Sequence, residues 1–170
     1  HTTAPQQIEA LVRPLLEGRS AGVISEAGVP AVADPGAAVV ALCHRKGIRV
    51  VPLVGPSSII LAMMASGQNG QSFAFNGYLP VKEPDRSRAV KRLEARALSE
   101  HQSQAFIETP YRNVKLFGEL LQCCAADTVL TVAADITAPT ELIATHTVAE
   151  WRRIGVPDIH KRPAIFIIGK

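Results

Sequence analysis

The sequence has no long apolar run, few cysteines and few aromatic residues. None of its apolar runs approaches the roughly 20 residues of a membrane-spanning helix, so we expect no transmembrane segment. The start of the chain also lacks the basic residues and apolar core of a signal peptide. Three cysteines form no C-x-x-C pair, and the histidines lack metal-ligand spacing. We therefore predict a reducing, cytoplasmic location and no zinc.

Several common motifs are missing as well. The sequence contains no G-x-G-x-x-G, no P-loop and no G-x-S-x-G, which argues against a standard dinucleotide site, a triphosphate site and a serine hydrolase. What is present is a chain of 170 residues that is 47% apolar, enough for one large or two small folded domains. Its net charge of +3 does not by itself imply a nucleic-acid partner.

The first half alternates apolar strands with helices. This order predicts βαβ units in a parallel sheet, an incomplete doubly wound domain over residues 1–78. The predicted elements are helices at 6–18, 37–46 and 57–66 and strands at 21–25, 48–53 and 72–76.

The second half begins after a turn-rich stretch at 77–87, and we predict a second α/β domain with a mixed sheet over residues 79–170. Its predicted elements are helices at 85–99, 110–122 and 148–153 and strands at 104–108, 129–134, 140–147 and 163–168.

Two loops of the first half follow predicted strands, at the sheet edge where open α/β folds bind ligands. The loop from Ser25 to Gly36 is rich in glycine and proline, and the loop from Gly55 to Ser58 leads into a helix N-terminus that could hold a carboxylate, a ribose or a phosphate. The alternative is that Asp34 and the serines only cap helices.

Two features of the second half are candidates too. Glu108 to Arg112 follow a predicted strand and either line a cleft or only start a helix. Arg88, Arg92 and Arg96 share one face of the predicted helix 85–99 and either meet phosphates or form a solvated face. We call these three arginines the stripe. No aromatic residue for base stacking interleaves with them, so sequence-specific reading of RNA is not indicated.

Four motifs in this order resemble the tetrapyrrole methylase superfamily of S-adenosylmethionine-dependent methyltransferases. They are ISEAGVPAVADPG, VVPLVGPSS, FAFNGYLPVK and FIETPYR. Within that superfamily, the chain is most similar to bacterial enzymes that methylate a cytidine 2′-hydroxyl in small-subunit ribosomal RNA, and to their uncharacterised paralogues.

The resemblance implies two α/β domains, a homodimer and S-adenosylmethionine in the cleft between the domains. Carried over by motif, the implied cofactor-binding residues are Ser25, Glu26, Ala27, Gly28, Val29, Ser57, Ser58, Glu108, Thr109, Ala133, Ala134, Ala164 and Ile165. The candidate RNA contacts are Lys82 and Arg112, which match the family pattern, and Arg88, Arg92 and Arg96, which are indicated by their helical spacing.

The sequence departs from the family pattern in three places. Val29 replaces a threonine, and the stretch Ala134–Ala138 replaces one that carries two cations in the ribosomal RNA enzymes. The chain also starts where family members are already well into their first domain, so we expect a fragment whose apolar edges and faces are left uncovered.

Methyl transfer from a sulfonium needs alignment, oriented dipoles and little water, and it needs little covalent help from the protein. A hydroxyl acceptor would also need a base, for which Glu26, Asp135 and Glu141 are candidates. Three interpretations stay open at this point. They are methylation of an RNA ribose, methylation of a tetrapyrrole or other small molecule, and a non-catalytic paralogue or inactive truncated chain.

Overall fold

The computed structural model describes residues 4–26 and 28–170. The chain divides into two compact units, which we call the first unit (residues 1–57) and the second unit (residues 58–170). The first unit contains helices α1 (Pro5–Leu16) and α2 (Ala37–Arg45). Val12 of α1 and Leu42 and Cys43 of α2 form its small buried core. Both helices agree with the sequence-based prediction.

The prediction of two strands in this unit, at 21–25 and 48–53, is wrong. The described residues form no strand in either stretch. A segment forms a β-strand only when its backbone pairs with a neighbouring strand, and an apolar composition alone does not supply that partner. Side chains that a paired and covered sheet would bury are instead left exposed, with Ile24 91% and Leu53 85% accessible.

The second unit is built on one mixed sheet of five strands in the order β1-β2-β5-β3-β4. β1 pairs with β2 in parallel, and the other neighbours are antiparallel. The elements are α3 (Ser58–Ser66), β1 (Phe73–Tyr78), α4 (Asp85–Ser99), β2 (Ser103–Ile107), a 3₁₀ turn (Pro110–Arg112), α5 (Asn113–Cys123), β3 (Val129–Ala134), β4 (Leu142–Thr147), α6 (Val148–Ile154) and β5 (Ala164–Gly169).

The mixed sheet agrees with the fold class predicted for the second half. The strand predicted at 72–76 is present as β1, but it pairs with β2 in this sheet and not with a strand of the first half. The predicted domain boundary after residue 78 stays a prediction. In the described ranges, every helix is too short or too polar to cross a membrane.

Helices cover both faces of the sheet because successive strand residues point to opposite sides. Phe166 of β5 lies in the large apolar cluster that also contains core residues of α4, α5 and α6, including Trp151. Its neighbours Ile165 and Ile167 lie in the smaller cluster formed with α3, to which Ile59 belongs.

A buried arginine at the start of α4 joins four parts of the second unit. The Arg86 side chain is only 1% exposed, and its guanidinium donates hydrogen bonds to the carbonyl oxygens of Pro80 (2.8 Å) and Val81 (2.7 Å) and to Glu119 Oε2 (2.7 Å). Its Nη2 also lies 3.7 Å from Glu108 Oε2. Arg86 therefore links the loop after β1, the start of α4, the end of β2 and helix α5.

Glu108 is the buried carboxylate of this network. Its Oε1 accepts hydrogen bonds from the Thr109 backbone N–H (2.6 Å) and from Arg112 Nη2 (2.7 Å). Burial raises the pKa of Glu108, but the hydrogen bonds from Arg112 and Thr109 and the charges of Arg112 and Arg86 outweigh it, so the net pKa is lowered from 4.5. The carboxylate is therefore held ionised.

We predict that Arg86→Met destabilises the chain by about 3 kcal/mol, because two carbonyl groups and the Glu119 carboxylate lose this donor and the buried Glu108 carboxylate loses a neighbouring positive charge. Chemical unfolding at pH 7 measures this loss. The control is Arg88→Met on the same helix, where the arginine is 73% exposed and its ion pair with Asp85 lies on the surface. The control should change stability by less than about 0.5 kcal/mol, and equal effects of the two variants would refute the role assigned to Arg86.

We also predict a pH-dependent effect of Glu108→Gln. Folding lowers the pKa of Glu108 below its ordinary value of 4.5. The ionised group therefore stabilises the fold fully above pH 4.5, and this contribution is lost as the pH falls through the folded-state pKa. The difference in unfolding free energy between the wild type and the variant should be about 1–3 kcal/mol at pH 7 and should shrink at pH 3. A difference that grows on acidification would contradict this assignment.

Candidate functional site

The first predicted loop forms a tight series of turns in the first unit. Ser25 and Val29 are half-buried, whereas Glu26 and Gly28 are exposed; Ala27 lies outside the described residues. Gly28 has a φ of +73°, a conformation that glycine adopts without strain. Three further residues of the loop also have positive φ angles, namely Ala31, Ala33 and Gly36.

The second predicted loop approaches the first. A Cβ atom placed on Gly55 would lie 4.0 Å from Cγ1 of Val29, so the two glycine-containing loops meet within the first unit. Ser57 is half-buried at the end of this unit, and Ser58 is exposed as the first residue of α3 in the second unit.

The predicted cofactor-binding residues of the sheet lie together at one edge of the second unit. In the ladder between β3 and β5, Ala134 pairs with Ala164 and Ala133 with Ile165. Ile165 also pairs with Ile107, the residue before Glu108. We call this edge, formed by the carboxyl ends of β2 and β3 and the amino end of β5, the Ala134 edge.

The side chains at the Ala134 edge belong to the core. Ala133 and Ile165 lie in the apolar cluster on the α3 face, and Ala134 and Ala164 lie in the cluster on the opposite face. All four residues are at most 6% exposed, backbone included, and their role in cofactor binding stays a prediction.

Glu108 and Thr109 are positioned differently from these alanines. Glu108 is buried and bound to Arg112 and to the Thr109 backbone, and Thr109 is half-buried. The Glu108 carboxylate thus holds Arg112, which stays half-exposed at the Ala134 edge.

Of the three candidate bases, Asp135 is held in an ion pair. Its Oδ2 lies 2.7 Å from Arg162 Nε and accepts a hydrogen bond from Thr140 Oγ1 at 2.8 Å. The Thr140 hydrogen bond and Arg162 lower the pKa of Asp135, and burial opposes them only in part. Glu141 accepts a hydrogen bond from the Thr137 backbone N–H at 2.6 Å. The choice among Glu26, Asp135 and Glu141 stays a prediction, but a carboxylate with a lowered pKa is a poor proton acceptor.

The predicted RNA contacts divide into two groups. Lys82 is exposed, and its carbonyl accepts from the Arg86 backbone N–H (3.0 Å), so Lys82 and Arg112 both adjoin the Arg86 network. The stripe instead runs along α4 to the other end of the sheet, where Arg96 contacts Gln102 (2.8 Å), just before β2 begins.

The stripe is also partly neutralised. Arg88 pairs with Asp85 at 3.3 Å and Arg96 with Glu100 at 3.2 Å, both through carboxylates of its own helix or its C-cap. Both Arg88 and Arg92 are exposed, as a phosphate-binding role requires, and that role stays a prediction.

Sequence reasoning missed two residues that organise this region. They are Arg86 and Arg162. Arg162 holds Asp135, and its carbonyl oxygen accepts a hydrogen bond from the Asn113 side chain at 2.6 Å. No local pattern indicates that Arg86 is buried or that Arg162 is half-buried, because arginines are usually solvated. Among the described residues, no His, Cys, Asp and Glu side chains gather as a metal-ligand group.

Comparison with curated proteins finds several relatives that share the same name. The chain is 35% identical over 145 residues to "Ribosomal RNA small subunit methyltransferase I" of Vibrio cholerae, covering 85% of this chain and 49% of the relative. It is 33% identical to the protein of the same name from Escherichia coli O157:H7, covering 81% and 47%. The chain thus spans about half the length of the curated relatives it matches. No protein-family profile matches it.

Solved structures share the fold at lower sequence identity. The methyltransferase CobJ aligns with a TM-score of 0.64 and 19% identity, covering 97% of this chain and 70% of CobJ. Uroporphyrin-III C-methyl transferase from Thermus thermophilus, complexed with S-adenosyl homocysteine, aligns with a TM-score of 0.55 and 20% identity, covering 98% and 73%. At these identities the likeness establishes the fold alone. The sequence relatives show that the chain, over the residues that align, belongs to the family of the ribosomal RNA small subunit methyltransferase I proteins, and the solved structures show that it shares the fold of CobJ and of uroporphyrin-III C-methyl transferase.

Proposed function

We propose that this chain is part of a cytoplasmic, homodimeric S-adenosylmethionine-dependent methyltransferase that acts on a ribose hydroxyl of small-subunit ribosomal RNA. The observation that carries the proposal is the 35% identity to a ribosomal RNA small subunit methyltransferase over 85% of the chain. S-adenosylmethionine would supply an electrophilic methyl group. The protein would have to bind this cofactor, align its methyl group with the acceptor and exclude water.

The residues present fit such a cofactor in both units. In the first unit, the exposed Gly28 has no heavy atom within 4 Å of where its Cβ would lie, beyond its chain neighbours, so backbone is accessible to a ligand there. In the second unit, Glu108 Oε2 is a buried acceptor without a hydrogen-bond donor, and it lies beside the small residues of the Ala134 edge. Open backbone with few bulky side chains suits a ligand that is aligned mainly by shape and dipoles.

A tetrapyrrole or another small molecule is the second candidate acceptor. It is supported by the names of the structural neighbours, but their identity to this chain is only 19–20%, which favours the RNA interpretation. A non-catalytic paralogue is the third candidate, and Val29 and the stretch Ala134–Ala138, which depart from the family pattern, favour it.

The first experiment is a calorimetric titration of the chain with S-adenosylmethionine and S-adenosylhomocysteine. We expect micromolar binding that Gly28→Trp or Ser57→Trp weakens at least about tenfold, or by 1.4 kcal/mol, because the indole fills ligand space. Gly47→Trp is the matched control, since Gly47 has a φ of +69° against +73° at Gly28 and similarly open surroundings. Binding that all three variants retain would place the cofactor elsewhere, and no binding by the wild type would argue against a cofactor site in this chain.

The second experiment tests the acceptor. With radiolabelled S-adenosylmethionine and small-subunit ribosomal RNA, we expect label at a ribose, detected as an alkali-resistant phosphodiester. Changing Arg88, Arg92 and Arg96 together to Ala should leave cofactor binding intact and reduce RNA methylation, and RNA binding should weaken steeply as salt rises. Unchanged methylation by the triple variant would refute the stripe as an RNA contact, and label only on a tetrapyrrole would favour the second candidate.

A further inference from the structure

The two tyrosines are the exposed aromatic side chains of the chain. Its eight Phe, Tyr and Trp residues all lie in the described ranges. The five phenylalanines and Trp151 are buried or half-buried, whereas Tyr78 is 59% and Tyr111 is 75% exposed. An aromatic ring left in water on a chain this poor in aromatics is a candidate contact surface.

Both tyrosines lie at the same end of the same strand pair. Tyr78, the last residue of β1, is in register with Ile107, the last residue of β2. Tyr111 follows Ile107 by four residues, within the 3₁₀ turn Pro110–Arg112. Neighbouring strands are about 4.8 Å apart, so the backbone brings the two residues to one locality at the Ala134 edge.

Cations surround these rings. Lys161 Nζ lies 5.8 Å from the centroid of the Tyr111 ring, and the Lys161 backbone N–H donates to the Pro110 carbonyl at 3.2 Å. The pKa of Arg112 is raised by its hydrogen bond to Glu108 and by the charge of Glu108, with a smaller contribution from Tyr78, while burial opposes the shift. Lys82 follows Tyr78 by four residues and is exposed.

The nearby carboxylates do not neutralise this group. Glu108 and Glu119 are shared among Arg86, Arg112 and Lys115, which leaves one positive charge in that network. Asp158 and Asp135 pair with Arg162. In the part of the chain that the structure describes, Lys82 and Lys161 have no carboxylate within ion-pair distance.

We propose that Tyr78 and Tyr111 form a stacking platform for two unpaired bases of an RNA strand, with Lys82, Arg112 and Lys161 contacting its phosphates. We call these five residues the tyrosine platform. Exposed rings beside flexible cations match the chemistry of single-stranded RNA, whose bases can be splayed out and stacked, whereas paired bases in a duplex are not available. The inference rests on the proposed function, because it gives the RNA substrate a second contact surface apart from the α4 stripe.

The test measures binding of the 170-residue chain to a fluorescein-labelled twelve-nucleotide oligouridylate by fluorescence anisotropy. We expect Tyr78→Ala and Tyr111→Ala each to weaken binding about tenfold. Tyr78→Phe and Tyr111→Phe keep the ring and should stay within about twofold of the wild type. Leu98→Ala is the matched control, since Leu98 is 53% exposed on α4 and should have no effect.

The salt dependence of RNA binding separates the contribution of base stacking from that of the positive charges. Lys161→Ala should reduce the magnitude of the slope of log affinity against log salt by about one, the contribution of one phosphate contact. Tyr111→Ala should leave that slope unchanged. Circular dichroism of each variant checks that the chain remains folded. A duplex of the same length that competes as well as the single strand would overturn the stacking assignment.

The outcomes separate this inference from the proposed function. If the wild type binds the oligonucleotide and the alanine variants bind it equally well, the tyrosine platform is refuted while cofactor binding and RNA methylation stand on their own assays. If the wild type binds no single-stranded RNA, the platform is refuted and the RNA acceptor with it, although the calorimetric titration still tests the cofactor. If the tyrosine variants instead impair association with a protein, the surface has a different partner and the inference fails.

Discussion

The second unit depends on how one buried guanidinium is satisfied. Moving Arg86 out of water carries a desolvation penalty of several kcal/mol. Such a charge persists in a folded protein only when hydrogen-bond acceptors and negative charges around it compensate for the lost water. Two backbone carbonyls, Glu119 and Glu108 supply that match. Since these partners come from the loop after β1, from α5 and from the end of β2, one side chain fixes the relative positions of three segments. Lys82 and Arg112 owe their placement to the same network, because one adjoins the loop and the other is held by Glu108.

Elements whose formation is decided locally were well predicted from the sequence. The helix at 85–99 and the strand at 129–134 have the predicted bounds, because helical periodicity and a short apolar run with β-branched residues are properties of the segment itself. The strands predicted at 21–25 and 48–53 failed because pairing is a property of two segments. β1 shows the same distinction, since its existence was predicted but its partner was not: the parallel pairing with β2 joins residues about thirty positions apart.

The candidate site was predictable to the extent that it follows strand ends. Ala133, Ala134, Ala164, Ile165, Glu108 and Thr109 were selected by motif, and the register of three strands brings them to one edge. The burial of Arg86 and the ion pair between Arg162 and Asp135 were not predictable, because they depend on tertiary contacts between distant segments. The exposure of Tyr78 and Tyr111 was not predictable for the same reason, since aromatic residues of a short apolar strand and of a helix start are usually core residues.

The composition of the Ala134 edge has a consequence for how its determinants can be found experimentally. Three of its four β3 and β5 residues are already alanine, and their side chains face the core. Alanine scanning would therefore change nothing at Ala133, Ala134 and Ala164, and Ile165→Ala would report a lost core contact and not a lost ligand contact. Only bulkier residues, backbone amide-to-ester replacement or hydrogen exchange of the individual amides would reveal which groups at this edge bind a ligand.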